Sequence, residues 1–447
     1  MAKAYQPVTG IRVHAWGHYV GALAPWPGHQ GLYVFQYAPE WLRQGVELAP
    51  LHMPLRSPPF SFAQLPRDTF RGLPALIADT LPDAFGNALI DGYLAAKGVP
   101  KAAITPLDRL ACLGDRAMGA LQFKPSREPQ RSHPTALELN ELVMAARSAL
   151  RGRFDGDRET HAAIAQLIQV GTSAGGQRAK AVVAWNPDTR EIRSGQVDAG
   201  NGFSQWLLKL DTVKPAAKGD AEEPIGKGVP YGRIEYAYYL MAREAGITMA
   251  ECCLLEEEER AHFLTRRFDR DGDTRHHIQT LCAMAHLDYM QKATHDYAQL
   301  FETLEQLELG KSTRAEVFRR MVFNVAARNC DDHTKNHGFL LREGGRWELA
   351  PAYDITHSYS PDSPWVSQHL MSVNGKFSQI TLTDVLAVGQ RWNVPDMKGI
   401  VDRVNAAVAN WDVHANAAGI PADVIKQIGA DHRPFCKGGQ PAGGLHG

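Results

Sequence analysis

The run NCDDHTKNHG at residues 329–338 concentrates the residue types that chemistry needs. Asp331 and Asn336 stand five residues apart in it. A carboxylate can take the proton of an attacking hydroxyl, and an amide oxygen suits a hard, oxygen-seeking cation such as Mg2+. A further carboxylate, Asp354, follows two short apolar runs, HGFLL and RWELA. The intervening REGG makes them read as a β-hairpin with a glycine turn. A rival reading takes Asp331, Asp332, His333 and His337 as transition-metal ligands. It needs inward-facing His pairs at helical spacing, whereas the segment reads as a loop entering a strand. A solvated polar loop is the alternative without function.

Three upstream features bear on these carboxylates. FSQWLLKLD at 203–211 reads as a strand with Lys209 between apolar neighbours. A strand lysine ordinarily faces solvent, but one in this setting can also face nucleotide phosphates. RIEYAYYLMAREAG reads as a helix with Glu235 near its start, able to form an ion pair with Lys209 or to serve the first-turn dipole. GTSAGGQRAK at 171–180 has three glycines and admits four readings. As G-x-S-x-G around Ser173 it would be a nucleophile elbow, but that needs a strand before and a helix after, and the order here is reversed. As a Walker A loop it has Gln177 where lysine belongs. It also fits a plain hairpin turn, or a loop whose backbone N–H groups cover phosphates. The joint order is Gly loop, Lys209, Glu235, Asp331, Asn336, hairpin, Asp354. That order fits ATP-dependent phosphoryl transfer.

The elements that must position these residues read in blocks. Residues 10–60 are rich in strand formers. LPDAFGNALIDGYLAAKGV reads as a helix with Asp83 in its first turn and Gly98 as its stop. Residues 135–169 read as helical, and 171–215 as a glycine turn with several strands. From about 231 onward the chain reads as mostly helical, apart from the hairpin near 337–350. The helix at 313–329 begins with Thr313 and has Glu316 three residues later, the pattern of a capping box. Its apolar stripe is Val317, Phe318, Met321, Val322 and Val325.

Composition sets outer limits. The chain has 447 residues, 48 Lys+Arg against 49 Asp+Glu and 44% hydrophobic residues, which excludes disordered, collagenous and coiled-coil classes. A net charge of −1 argues against a surface devoted to nucleic acid. The six cysteines form no C-x-x-C pair and are expected to be reduced and mostly buried. MAKAYQPVTG has no apolar signal core, and no run is long enough to span a membrane, so the expected location is cytoplasmic, with no membrane partner.

With these motifs together, the sequence resembles the HipA-like serine/threonine kinase toxins of bacterial toxin–antitoxin systems. The resemblance is carried by GGQRAK, WLLKLD, RRFDR at 266–270, CDDHTKNHGF and APAYDI over about 165–400. GLPALIADTLPDAFGNALI and LGDRAMGALQF extend it over 10–125. It implies an α+β, kinase-like bilobal fold with a small N-terminal α/β subdomain and a mostly helical C-terminal lobe. The expected divisions are an N-terminal subdomain at 1–130, a connector and N-lobe-like part at 131–260, a C-lobe-like domain at 261–431 and a disordered tail at 432–447.

The resemblance also implies roles. Asp331 would be the catalytic base, and Asn336 and Asp354 would hold Mg2+. Lys209, Gly175, Gly176, Gln177, His333 and Lys335 would contact ATP, with Arg266, Arg267 and Phe268 at the adenine hinge. Ser173, or Thr172, would be autophosphorylated, placing charge where ATP phosphates must sit. Glu235 would form a structural ion pair. The implied partners are a small DNA-binding, HipB-like antitoxin, through which alone DNA would be met, and a protein substrate such as an aminoacyl-tRNA synthetase. Asn329-Cys330 stands where eukaryotic kinases have His-Arg, so control by an activation-loop phosphate through that arginine is not expected. Two readings of other classes stand beside this one: a non-catalytic ATP- or antitoxin-binding module, and a hydrolase using Ser173.

Overall fold

The computed structural model describes residues 5–127, 179–195, 199–211, 229–257 and 260–435. It mixes helix and sheet, and it divides into two compact units. The first comprises Met1–Val229, Leu255–Gln279 and Leu341–Gly345; the second comprises Pro230–Leu254, Thr280–Leu340 and Arg346–Gly447.

The first unit holds two sheets. Strands β1 (Ile11–Ala15), β2 (His18–Pro25), β3 (Tyr33–Tyr37) and β4 (Gln122–Lys124) pair antiparallel in the order β3-β2-β1-β4. Period-two alternation buries Ile11, Val13 and Ala15 on one face of β1. Helix α1 (Ala84–Ala95) follows the expected apolar spacing, with Phe85, Leu89, Ile90 and Leu94 buried. Asp83 lies one step outside the first turn: it is the N-cap, and its Oδ1 accepts from the Gly86 N–H at 2.8 Å. A cap satisfies an orphan donor directly, and the carboxylate still faces the positive helix end. Gly98 takes φ +78° just beyond the helix and turns Val99 back onto Ile90 and Leu94.

The second sheet has five strands. They are β5 (Lys180–Asn186), β6 (Glu191–Ser194), β7 (Ser204–Lys209), β8 (Cys252–Glu257) and β9 (Arg260–Arg266), in the order β6-β5-β7-β9-β8. Every residue of β5 is buried. Strands β8 and β9 depart from the helical reading of this part of the chain. ECCLLEEEERAHF favours helix by local propensity, but β9 is paired on both sides, and long-range pairing overrides propensity.

The second unit is largely helical. Among its helices are α2 (Tyr231–Glu244), α3 (Tyr297–Gln306), α4 (Lys311–Ala326), α5 (Leu382–Arg391) and α6 (Met397–Ala409). The α4 stripe of Val317, Phe318, Met321, Val322 and Val325 is buried as expected. Its capping box is not formed. The helix starts two residues earlier, with Gly310 as N-cap and no side-chain cap. Glu316 instead pairs with Arg319 and Arg320 and accepts from the Thr248 N–H at 3.0 Å. The expected hairpin is present as β10 (Gly338–Leu341) and β11 (Trp347–Leu349), with Gly344 at φ +69° in its turn. Of the five described cysteines, none in a disulfide, four are buried and Cys253 is half-buried. No helix among the described residues is long and apolar enough to cross a membrane.

Candidate active site

The site is built on the loop that leaves α4. Arg328, at φ +56°, turns the chain out of the helix. Cys330 N–H then donates to the Ser358 carbonyl at 3.0 Å, and Ser358 N–H donates back to the Arg328 carbonyl at 3.2 Å. These bonds hold the loop from behind while Asp331 projects from it. The Asp331 side chain is 38% exposed. Its Oδ1 accepts from the Trp365 indole Nε1–H at 2.8 Å, and His333 Nε2 lies 3.8 Å from the same oxygen. Burial, with the nearby charges of Asp354 and Asp332, pushes the Asp331 carboxyl up from the usual range, against the lowering pull of His333 and the indole. Burial lowers His333, against the raising pull of the Asp331 and Asp354 carboxylates.

Asn336 closes the short turn Thr334–Asn336. Its Nδ2 donates to the Asp331 backbone carbonyl at 2.7 Å, which leaves the amide oxygen for a ligand. Asp354, just beyond β11, takes a left-handed φ of +53°, a conformation that costs energy outside glycine and is common where function constrains the backbone. Asn336 and Asp354 line one pocket, together with Arg320, Asn324, Asn329 and His337. Asn329 Oδ1 and His337 Nε2 are buried polar atoms with no hydrogen-bond partner among the described residues. The carboxylate of Asp354 and the amide of Asn336, two residues lining one pocket, are oxygen donors of the kind that fit Mg2+, which takes one or two protein oxygens and fills its octahedron with water and phosphate oxygens.

The rival transition-metal set is not assembled. Among the described residues no group of three or more His, Cys, Asp or Glu is arranged to hold a metal. Asp332 is fully engaged elsewhere. Its Oδ1 accepts from the Leu370 N–H at 2.8 Å, and its Oδ2 accepts from the Tyr297 hydroxyl at 2.9 Å and from His369 Nδ1 at 3.1 Å. Asn324 Nδ2 donates to the same tyrosine oxygen at 2.9 Å, and Asn329 Nδ2 donates to Asn324 Oδ1 at 3.0 Å. This chain of buried bonds fixes the loop on either side of Asp331. Sequence reasoning missed Tyr297, His369 and Trp365, because each lies 34–37 residues from its aspartate.

Lys335 stands over the Tyr289 ring at 4.6 Å, and its carbonyl accepts from the Tyr353 hydroxyl at 2.8 Å. His333 packs edge-on to the same ring, 5.2 Å between centroids. Glu235 is buried on α2. In the first unit, Lys209 ends β7, buried, with its ammonium 5.5 Å from the Phe263 ring centroid. Directly across the strand pair stands Lys180, also buried, 3.8 Å from Asp83. Arg266 ends β9 and is exposed, and Phe268 is half-buried. Arg267 is buried and its guanidinium binds Asp269 through two bonds of 2.9 and 2.6 Å. Asp269 also accepts from Arg270 and from the Gly119 N–H, so the Arg267 side chain serves this buried cluster. Thr172, Ser173, Gly175, Gly176 and Gln177 lie outside the described residues.

A mixed helix-and-sheet protein with Asn336 and Asp354 lining one pocket and a half-buried Asp331 carboxylate on the same loop as Asn336 is the class that fold and site define. The family follows from comparison. The HipA-like C-terminal domain matches residues 172–411 and the HipA N-terminal domain matches residues 11–124. The chain belongs to the HipA family. The fold is similar to that of HipA in the structure described as the Shewanella oneidensis MR-1 toxin–antitoxin system HipA, HipB and operator DNA complex. The TM-score is 0.61 at 15% identity, over 94% of this chain and 95% of that one. A weaker likeness, TM-score 0.32 at 11% identity, links 52% of this chain to 89% of the Helicobacter pylori proinflammatory kinase CtkA. No curated protein matches the sequence.

Proposed function

We propose that the chain is an ATP- and Mg2+-dependent serine/threonine protein kinase, the toxin of a toxin–antitoxin pair. The observation that carries this reading is that Asn336 shares a loop with Asp331, its amide tied to the Asp331 backbone, and lines one pocket with Asp354. Bound Mg2+ would neutralise charge on the phosphates. Asn336 Oδ1 and the Asp354 carboxylate would hold it. Asp331 would accept the proton of the acceptor hydroxyl. As the hydroxyl oxygen bonds to the γ-phosphorus, the bond from that phosphorus to the β–γ bridging oxygen breaks, and ADP leaves with the electron pair. Lys209 would contact the α- and β-phosphates, with Glu235 as its ion-pair partner, and His333 and Lys335 would flank the nucleotide. The bilobal kinase division, with its N-terminal subdomain, belongs to the same proposal.

Family membership supports three further parts of the reading. The partner would be a HipB-like DNA-binding antitoxin, which in the Shewanella structure stands with HipA and operator DNA. The substrate would be a translation component such as an aminoacyl-tRNA synthetase, met in the cytoplasm. Phosphorylation of Ser173 or Thr172 would switch the kinase off.

The test is phosphate incorporation from γ-labelled ATP with Mg2+, after intact mass has shown the starting phosphorylation state. Asp331→Asn should keep the fold and lower the rate by roughly 10²–10⁴, the usual contribution of a general base. Activity within about twofold of wild type, a range far below that contribution, would sink the assignment. ATP binding without turnover in unmodified wild-type protein would favour the binding module instead.

A further inference from the structure

The adjacent carboxylates Asp331 and Asp332 grip the two ends of one segment, residues 365–371. Trp365 donates its indole N–H to Asp331 Oδ1 at 2.8 Å, while Asp332 receives the Leu370 N–H at 2.8 Å and His369 Nδ1 at 3.1 Å. The indole is itself held. Ser363 Oγ accepts from the backbone N–H groups of Trp365 and Val366, each at 3.2 Å. Lys292 donates to the Pro364 carbonyl at 2.9 Å and lies 5.7 Å from the indole ring. The same excursion leaves the catalytic loop through Ser358, which is bonded to Arg328 and Cys330. Both its start and its return are therefore fastened to the loop that carries Asp331.

A carboxylate on a short side chain has two oxygens and a soft terminal torsion. A base that must meet a hydroxyl in line with a phosphorus atom needs one orientation. Indole N–H is a donor only, so it can fix one oxygen without competing for the transferred proton.

We propose that Trp365 is a positioning residue for Asp331: it clamps Oδ1 and presents Oδ2 to the acceptor hydroxyl. The inference rests on the kinase reading. It assigns a function to a residue that no kinase motif marks and that lies 34 residues beyond the base.

The test compares wild type with Trp365→Phe, which keeps an aromatic ring and removes the donor. The rate of phosphate incorporation into the chain from γ-labelled ATP is followed against ATP concentration. The maximal rate should fall about tenfold, equivalent to about 1.4 kcal/mol, with the half-saturating ATP concentration unchanged. A structural role alone would lower the melting temperature and leave the rate per folded molecule intact. The second measurement needs no activity. In protein labelled with 15N at tryptophan, the Trp365 indole resonance is assigned by its loss in Trp365→Phe, and it should move upfield in Asp331→Ala. An unmoved resonance overturns the contact. With an active wild type, an unchanged or faster Trp365→Phe overturns the positioning role and leaves the kinase reading standing. A wild type that incorporates no label, with its mass showing it unmodified, overturns the kinase reading and the clamp's catalytic purpose with it.

Discussion

Asp331 and Asp332 are neighbours in opposite surroundings. Asp331 is 38% exposed and has an indole and an imidazole beside one oxygen. Asp332 and His369 are buried against each other, their side chains 0% and 2% exposed. Burial opposes charge on His369, but Asp332 outweighs it, with a smaller contribution from Cys330, and holds the imidazole up to about 10. The pair is therefore an ion pair at neutral pH. Asp332→Asn should cost about 3–5 kcal/mol, the range for removing one partner of a buried pair, as measured by denaturant unfolding. The pH dependence follows from the raised value. The contribution is complete below the ordinary histidine value of 6.5 and is lost as pH rises toward about 10. Unfolding at pH 7 and pH 9.5 should thus differ more in wild type than in His369→Gln, and equal pH dependence would contradict it. The Asp331–Asn336 spacing was legible because both residues belong to one loop. The role of Asp332 was not, because its partners arrive from two other parts of the chain.

At the scale of elements, helix starts show how local signals mislead. Thr381 caps α5: its Oγ1 accepts from the Asp384 N–H, and the Asp384 carboxylate accepts from the Thr381 N–H at 2.9 Å. Thr313 carries the same kind of sequence signature yet sits inside α4, whose N-cap is Gly310. The difference lies with Glu316, which Arg319, Arg320 and the Thr248 N–H hold in place. Thr381→Ala should therefore destabilise by about 1 kcal/mol, as loss of a cap does. Thr313→Ala should stay within about 0.5 kcal/mol, as surface changes do. Equal effects in urea unfolding would contradict the assignment. Strands β8 and β9 make the same point in another form. Their glutamates and arginines read as helix, and only the pairing of β9 with β7, and of β8 with β9, shows that they complete a sheet.

At the scale of the whole molecule, buried histidines set the acid limit. His262 and His277 are each lowered to about 4, in both cases chiefly by burial. His262 Nδ1 accepts from the Asp211 N–H at 2.8 Å, and His277 Nε2 donates to the Leu48 carbonyl at 3.0 Å. A proton on His262 Nδ1 would break its bond. Because these folded values lie below the ordinary 6.5, the stability they carry is present above that pH and lost as pH falls toward about 4. Thermal unfolding should show the midpoint falling steeply over that interval, and less steeply in His277→Gln. An unchanged slope would remove His277 from the account.

What the sequence settled alone is the spacing of Asp331 and Asn336 in one loop, the amphipathic α4, the strand bearing Lys209 and the hairpin before Asp354. Each of these is written in neighbours a few positions apart, through the period of a helix, the period of a strand or the residues of a turn. Only the tertiary structure decided which aspartate reaches the surface and which is locked, that Trp365 faces Asp331, and that Arg267 is spoken for by Asp269. Those assignments depend on contacts between distant segments. One sequence carries the residues for such contacts but not the distances that select among them.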